Sequence, residues 1–260
     1  MPNRLLHQGA VLSSVAVSTF GKWRGCLVVK VAEQPKLPIT LYDMEGCPYC
    51  RLVREALTAL HLDFEVRPCP RGGKRFRTEA ERIGGKQQFP LLVDANTDRT
   101  LYESRDIIEY LFHTYGQRGV PRSYADSALR LVSNAFQAVA RPARGIFVRS
   151  SRLSGMPLHL WSFEGSPYSR LVRERLTELE LPYTLHNLGK EHWKEAGPAV
   201  RRVLPNPYVP REGGKRHAFW QAHGRVQVPF LDDPNTGAKL FDSGKIVDYL
   251  ESTYATRAEP

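Results

Sequence analysis

Two thiols three residues apart are the groups in this chain best suited to do chemistry. Cys47 and Cys50 stand in Glu45-Gly46-Cys47-Pro48-Tyr49-Cys50-Arg51. One thiol that attacks and a second that resolves is what disulfide exchange needs. Ile39 to Tyr42 read as a short strand running into the motif, and Val53, Ala56, Leu57 and Leu60 recur behind it at the spacing of one helix face. Pro48 is placed to open that helix. A thiol at a helix start meets unpaired N–H groups and the positive end of the dipole, which stabilise thiolate and lower its pKa. Structural zinc would ask for two more close ligands. Only Cys26 and Cys69 remain, and they form no second pair. The eight histidines show no metal spacing, and no metal site is expected.

The elements that must hold these thiols belong to a long chain. At 260 residues, 42% hydrophobic and 25% charged, two domains of ordinary size are expected. No apolar run reaches the length of a membrane span. Four cysteines, two of them in the C-x-x-C, suit a reducing compartment. The chain is therefore expected to be cytoplasmic, with organellar targeting by the N-terminal segment left open. The formal charge of +10 is localised. Residues 1–37 hold five Lys/Arg against Glu33, and residues 116–156 hold seven Arg against Asp126. The rest balances, so no nucleic-acid surface is expected.

The chain repeats itself. The stretch Leu41 to Glu55 returns 119 positions on as Leu160 to Glu174, with Glu164-Gly165-Ser166-Pro167-Tyr168-Ser169-Arg170 in place of the cysteine motif. Gln88-Phe89-Pro90-Leu91 matches Gln227-Val228-Pro229-Phe230, and Tyr102-Glu103-Ser104 matches Phe241-Asp242-Ser243, now 139 positions on. The second copy is longer by 20 residues around Lys190–Pro210, read as a loop excursion. In the first copy the elements are expected at about 39–43, 48–61, 63–68, 76–84, 90–94, 100–102 and 104–115. A βαβ start followed by a ββα finish is the thioredoxin arrangement, a mixed sheet flanked by helices. The fold class is thus α/β, with two tandem thioredoxin-like domains at 38–116 and 157–260.

Each domain follows a basic, partly helical segment, 1–37 and 117–156. Arg24-Gly25-Cys26-Leu27-Val28 is echoed by Arg144-Gly145-Ile146-Phe147-Val148. Ala128, Val132, Ala135 and Val139 predict an apolar helical stripe ended by Pro142. Residues 1–32 lack acids, as a cleaved leader would. The internal echo favours a retained structural segment. These stretches are expected to pack on the domains, with contact to an anionic surface left open.

At these motifs the chain resembles the glutaredoxin and glutathione-transferase N-terminal-domain branch of the thioredoxin superfamily, over about 38–115 and 157–255. Cys47-Pro48-Tyr49-Cys50 matches the glutaredoxin active site. The resemblance implies glutathione as cofactor, with Cys47 and Cys50 catalytic and Tyr49, Phe89, Pro90, Glu103 and Ser104 binding it. Pro90 and Pro229 would be cis, exposing the backbone of Phe89 and Val228 to pair with a peptide. Ser104, opening the last helix, would hold the γ-glutamyl carboxylate and Glu103 its amine. The all-helical second domain of ordinary transferases has no match. In the second copy both thiols are serines, so disulfide exchange is excluded there, yet Ser166, Val228, Pro229, Asp242 and Ser243 keep the outline of a site. Ser-Pro-Tyr-Ser resembles the serine-type transferase pattern. A degenerate domain kept for packing is the other reading.

The expected function is a glutathione-dependent thiol–disulfide oxidoreductase acting through Cys47 on glutathionylated or disulfide substrates. The alternatives are a glutathione transferase using Ser166 and a non-catalytic glutathione or iron–sulfur cluster binding protein. Cys69 is expected to be an ordinary thiol, Cys26 to be buried and Trp161 to lie in the core. Nothing in the sequence sets the oligomeric state.

Overall fold

Alternating and continuous apolar runs separated by turn residues give the chain its strands, and the i, i+3, i+4 patterns give its helices. A computed structural model describes residues 4–125, 131–135, 141, 144–192, 195 and 210–256. A first helix, α1 (Arg4–Phe20), precedes the first copy, which runs β1 (Ile39–Asp43), α2 (Pro48–Ala59), β2 (Phe64–Pro68), α3 (Arg75–Gly84), β3 (Leu91–Asp94), β4 (Arg99–Leu101) and α4 (Ser104–Thr114). The second copy repeats this as β5 (Leu158–Ser162), α5 (Pro167–Glu178), β6 (Tyr183–Asn187), α6 (Lys215–His223), β7 (Phe230–Asp233), β8 (Ala238–Phe241) and α7 (Ser243–Tyr254). The seven elements expected for the first copy are all found, with ends within two residues. The expected excursion at 190–210 lies largely outside the described residues.

Within each copy the first two strands are parallel and the last two antiparallel. The two four-stranded sheets then join edge to edge. β2 and β6 pair antiparallel through Phe64–Leu185, Glu65–Thr184 and Val66–Tyr183. The result is one eight-stranded sheet in the order β4-β3-β1-β2-β6-β5-β7-β8. Joining removes two exposed edges that would otherwise invite pairing with another chain. The core is continuous across the seam: Leu41, Leu57, Leu62 and Phe64 share one buried cluster with Leu160, Val172, Leu181 and Leu185.

Beside the seam lies a buried ionic network that the two copies exchange. Arg54 of α2 holds both Asp43 oxygens at 2.7 and 2.8 Å and reaches across to Glu164 at 2.8 Å. Arg173 of α5 returns the contact, holding both oxygens of Glu45 at 2.9 and 3.0 Å. Arg54, Arg173 and Glu164 are all buried. The guanidiniums also donate to backbone carbonyls, Arg54 to Glu45 and Arg173 to Phe163 and Glu164. Burial lifts the Asp43 carboxyl, whereas Glu164, although burial opposes ionisation, is held well below the usual carboxylate range by Arg173 and Arg54.

The two basic segments pack on the domains, as expected, and each touches both copies. Val29 and Lys30 N–H groups donate to the Ala59 carbonyl of the first copy, and Arg149 N–H donates to the Glu178 carbonyl of the second. Each also reaches across. α1 packs on α5 of the second copy, where Ser14 donates to the carbonyl of Pro167 at 2.9 Å, and Gly165 N–H donates to Gly25 at 2.8 Å. In the reverse sense Asn134 donates to the carbonyl of Pro48 at 3.4 Å, and Gly46 N–H donates to Gly145 at 3.2 Å. The straps press so closely that a Cβ at Gly46 would overlap Ile146 and one at Gly165 would overlap Cys26, which is why both loops carry glycine. Their basic residues meet buried acids of the helices: Arg141 holds Glu174 at 2.7 Å and Arg24 approaches Glu55 at 3.8 Å. The stripe expected over 128–139 is corrected where it is described. Residues 131–135 are helical, but Val132 is exposed and Asn134 is the buried residue, because this helix meets a polar loop rather than a core.

Breaking a buried ion pair from one side leaves an uncompensated charge. Arg54→Leu strips Asp43 of its bidentate partner and is expected to cost about 3–5 kcal/mol in urea unfolding. Arg105→Leu, which breaks the exposed pair with Glu109, should cost less than about 0.5 kcal/mol. Similar losses for both would refute the role given to the network.

Candidate active site

Cys47 is the N-cap of α2, with extended backbone, and Pro48 opens the helix. The Cys50 N–H points back at the Cys47 sulfur at 3.4 Å. The Cys50 side chain, by hydrogen bonding to that sulfur, lowers the Cys47 thiol from its ordinary value, against burial, and the Cys50 and Tyr49 backbone N–H groups add to the effect. The helix start therefore acts as the sequence implied, with the neighbouring thiol as the larger contributor. Burial pushes Cys50 well above the ordinary value, and the facing Cys47 adds to the rise. Burial also lifts Cys26 to about 11 and Cys69 well above normal. Cys47 thus differs from the three other thiols. It is 8% exposed, while Cys50 and Cys69 are fully buried.

The strand register brings the other expected residues to the same end of the sheet. Tyr42, near the end of β1, pairs with Leu91 at the start of β3, directly after Pro90. Leu92 pairs with Leu101 of β4, which leads into Glu103-Ser104. The Phe89–Pro90 bond is cis, as is Val228–Pro229. Gln88 donates to the Glu103 carboxylate, linking the proline loop to the start of α4. Glu103 sits at φ 61°, ψ 120°, an uncommon conformation for a residue with a side chain. Asp242 repeats it at φ 79°, ψ 122°. Such outliers gather at functional sites. Ser104 is buried, Glu103 exposed, and the Tyr49 ring is 46% exposed beside the cysteines. Arg77 lies 4.8 Å over the Phe89 ring.

The second copy keeps the frame and closes the opening. Ser166 caps α5 as Cys47 caps α2, accepting from Ser169 N–H at 3.3 Å, but it is 2% exposed. α1 packs on α5 beside it, Ser14 donating to the Pro167 carbonyl, and His7 Nε2 stands 3.3 Å from the Ser243 hydroxyl. Asp242 spends its carboxylate on the Gly244 and Lys245 N–H groups, whereas Glu103 makes no such cap. Trp161, expected in the core, is half-buried and stacks on His186 with centroids 4.4 Å apart.

A pocket beside Cys47 is lined by residues that stand outside the expected site. Arg51, Arg170, Arg141 and Arg144 line it, together with Glu45 and Glu174. The signal was present: Arg-Leu-Val-Arg-Glu stands in both copies at 51–55 and 170–174, with charges on a helix flank that should otherwise vary freely.

The model for the glutathione S-transferase N-terminal domain matches residues 41–119 and again 160–258. The chain belongs to that family, and carries its domain twice. A glutathione-related role follows in general terms from this membership. Among solved structures, a trimeric glutathione transferase from Leishmania is similar at 12% identity, covering 86% of this chain and 68% of its own, with a TM-score of 0.30. The comparison with curated proteins gives no match. No helix among the described residues is long and apolar enough to cross a membrane.

The thiol order is open to direct test. Iodoacetamide at neutral pH, read by peptide mass, should label Cys47 well before Cys26, Cys50 or Cys69. Its rate should reach half-maximum below the pH of about 8.5 typical of a free thiol. Comparable labelling of Cys26 would contradict the assignment.

Proposed function

We propose that the first copy is a glutathione-dependent thiol–disulfide oxidoreductase acting through Cys47. The observation that carries this reading is the pairing of one lowered, partly accessible thiol with a second sulfur-bearing residue hydrogen-bonded to it at a helix start. Family membership supports glutathione as the small-molecule partner. In the first step the Cys47 thiolate attacks the glutathionyl sulfur of a mixed disulfide. A new sulfur–sulfur bond forms, the old one breaks, and the substrate leaves as a thiolate that takes a proton from water. In the second step a glutathione thiolate attacks the bound glutathionyl sulfur, releasing oxidised glutathione and restoring Cys47. Burial keeps Cys50 protonated, which favours glutathione over Cys50 as the resolving thiol.

Glu103, Ser104 and the Phe89–Pro90 loop stand where a γ-glutamyl group and a peptide backbone would be held, at the same end of the sheet as Cys47. Ser104 offers a hydroxyl and a helix-start N–H to a carboxylate. The second copy serves as scaffold in this reading, since Ser166 is buried, Ser14 of α1 holds the adjacent Pro167 carbonyl and His7 meets Ser243. A transferase centred on Ser166 finds less support in that geometry. The domains are assigned as 38–116 and 157–260, with 1–37 and 117–156 as the crossing straps.

Turnover of a glutathione mixed disulfide should be lost in Cys47→Ser and retained in substantial part in Cys50→Ser. Glu103→Ala with Ser104→Ala should weaken glutathione binding in calorimetry by about 1.5–3 kcal/mol for each charge-assisted hydrogen bond lost. Unimpaired turnover in Cys47→Ser, or conjugation of an electrophile that depends on Ser166, would overturn the proposal.

A further inference from the structure

The two copies treat their matching arginines differently. Arg51 in α2 has carboxylates on both sides, Glu55 at 3.1 Å and Glu164 at 3.7 Å. Arg170 is its counterpart in α5, and the carboxylates that would serve it are already engaged. Arg141 takes both oxygens of Glu174 at 2.7 Å each, and Arg173 takes both oxygens of Glu45. Among the described residues the Arg170 guanidinium forms no hydrogen bond or ion pair, and its Nη2 is buried without a partner. The residue is 4% exposed. Burial pulls its pKa down to about 9. An unsatisfied buried cation is costly, and a planar carboxylate is the partner that suits the guanidinium fork.

Arg170 also lines the pocket that contains Cys47 and Pro48 of the other copy, as does Arg144 of the strap, itself exposed. The two glutamates of the pocket are neutralised by the pairs just named. We infer that this pocket is a carboxylate subsite: a small thiol compound joined through sulfur to Cys47 sets a carboxylate on Arg170, so the second copy supplies a binding residue for the thiol of the first. The inference rests on thiol exchange at Cys47 for the identity of the ligand, but the site itself can be tested without turnover.

Iodoacetate and iodoacetamide alkylate a thiolate by the same displacement, in which the sulfur–carbon bond forms as iodide leaves. They differ in carrying a carboxylate or its neutral amide. Their rate ratio at Cys47, read by mass on the full chain, cancels any change in thiolate fraction. The wild-type iodoacetate-to-iodoacetamide ratio should exceed that of Arg170→Gln by about tenfold, with Arg170→Lys between them, which is the scale of one charge-assisted contact. In the wild type alone, propionate should protect Cys47 from iodoacetamide in a saturable way and propionamide should not. Equal ratios in wild type and Arg170→Gln overturn the subsite, as does propionate protecting no better than propionamide. The propionate arm decides the matter if Arg170→Gln fails to fold. A chain with the expected ratio and protection but no turnover of mixed disulfides would keep the subsite and overturn the oxidoreductase reading alone.

Discussion

The reciprocal contact of Arg54 with Glu164 and Arg173 with Glu45 governs how the rest of the molecule can be arranged. Each guanidinium is rooted in one copy and satisfied partly by a carboxylate of the other. Ions removed from water are tolerated only when their partners are in place, so neither set of charges could stay buried in a separated copy. Pairing of β2 with β6 aligns the two sheets, and the ionic exchange sits where the loops before α2 and α5 face each other. Cys47 follows Glu45 by two residues, and Ser166 follows Glu164 by two. The reactive loop of one copy is therefore fixed by the charge of its twin.

Duplication of a module commonly yields two sites, but here the two have diverged by burial as well as by chemistry. Replacing both thiols by serine removes exchange from the second copy. Ser166 is also more deeply buried than Cys47, 2% against 8% exposed. What the second copy retains is its frame: the cis proline, the strained acid at the start of the last helix and the capping serine. Its charged helix face has become part of the wall around Cys47.

Much of this was legible in the sequence because it rests on local rules. The C-x-x-C with proline, the apolar spacing behind it, the turn residues between β3 and β4 and the register of the repeat all act over a few residues. They placed the seven elements of the first copy. That the straps pack on the domains was legible, but not that each bridges its own copy and the other. Their partners are set by tertiary packing, which one sequence does not display. Arg51, Arg54, Arg170 and Arg173 were passed over for a related reason. Charged residues on a helix flank read as solvated, and only the facing copy turns them into a core. Of the stripe expected over 128–139, Ala128 and Val139 lie outside the described residues, and Val132 fails likewise, since a helix that seals a polar loop buries Asn134 instead.

The crossing of the straps sets a timetable for synthesis. Ser14 meets Pro167, a residue made 153 positions later, and Asn134 meets Pro48, made 86 positions earlier. As the chain leaves the ribosome, α1 emerges long before the surface it covers. The first copy emerges complete in its strands yet without the strap that presses on its cysteine loop. Only when the second copy has emerged do both straps find their seats. The nascent first half thus passes through an interval with an uncovered thiol loop and a free β2 edge, the condition in which half-made proteins are most exposed to stray pairing.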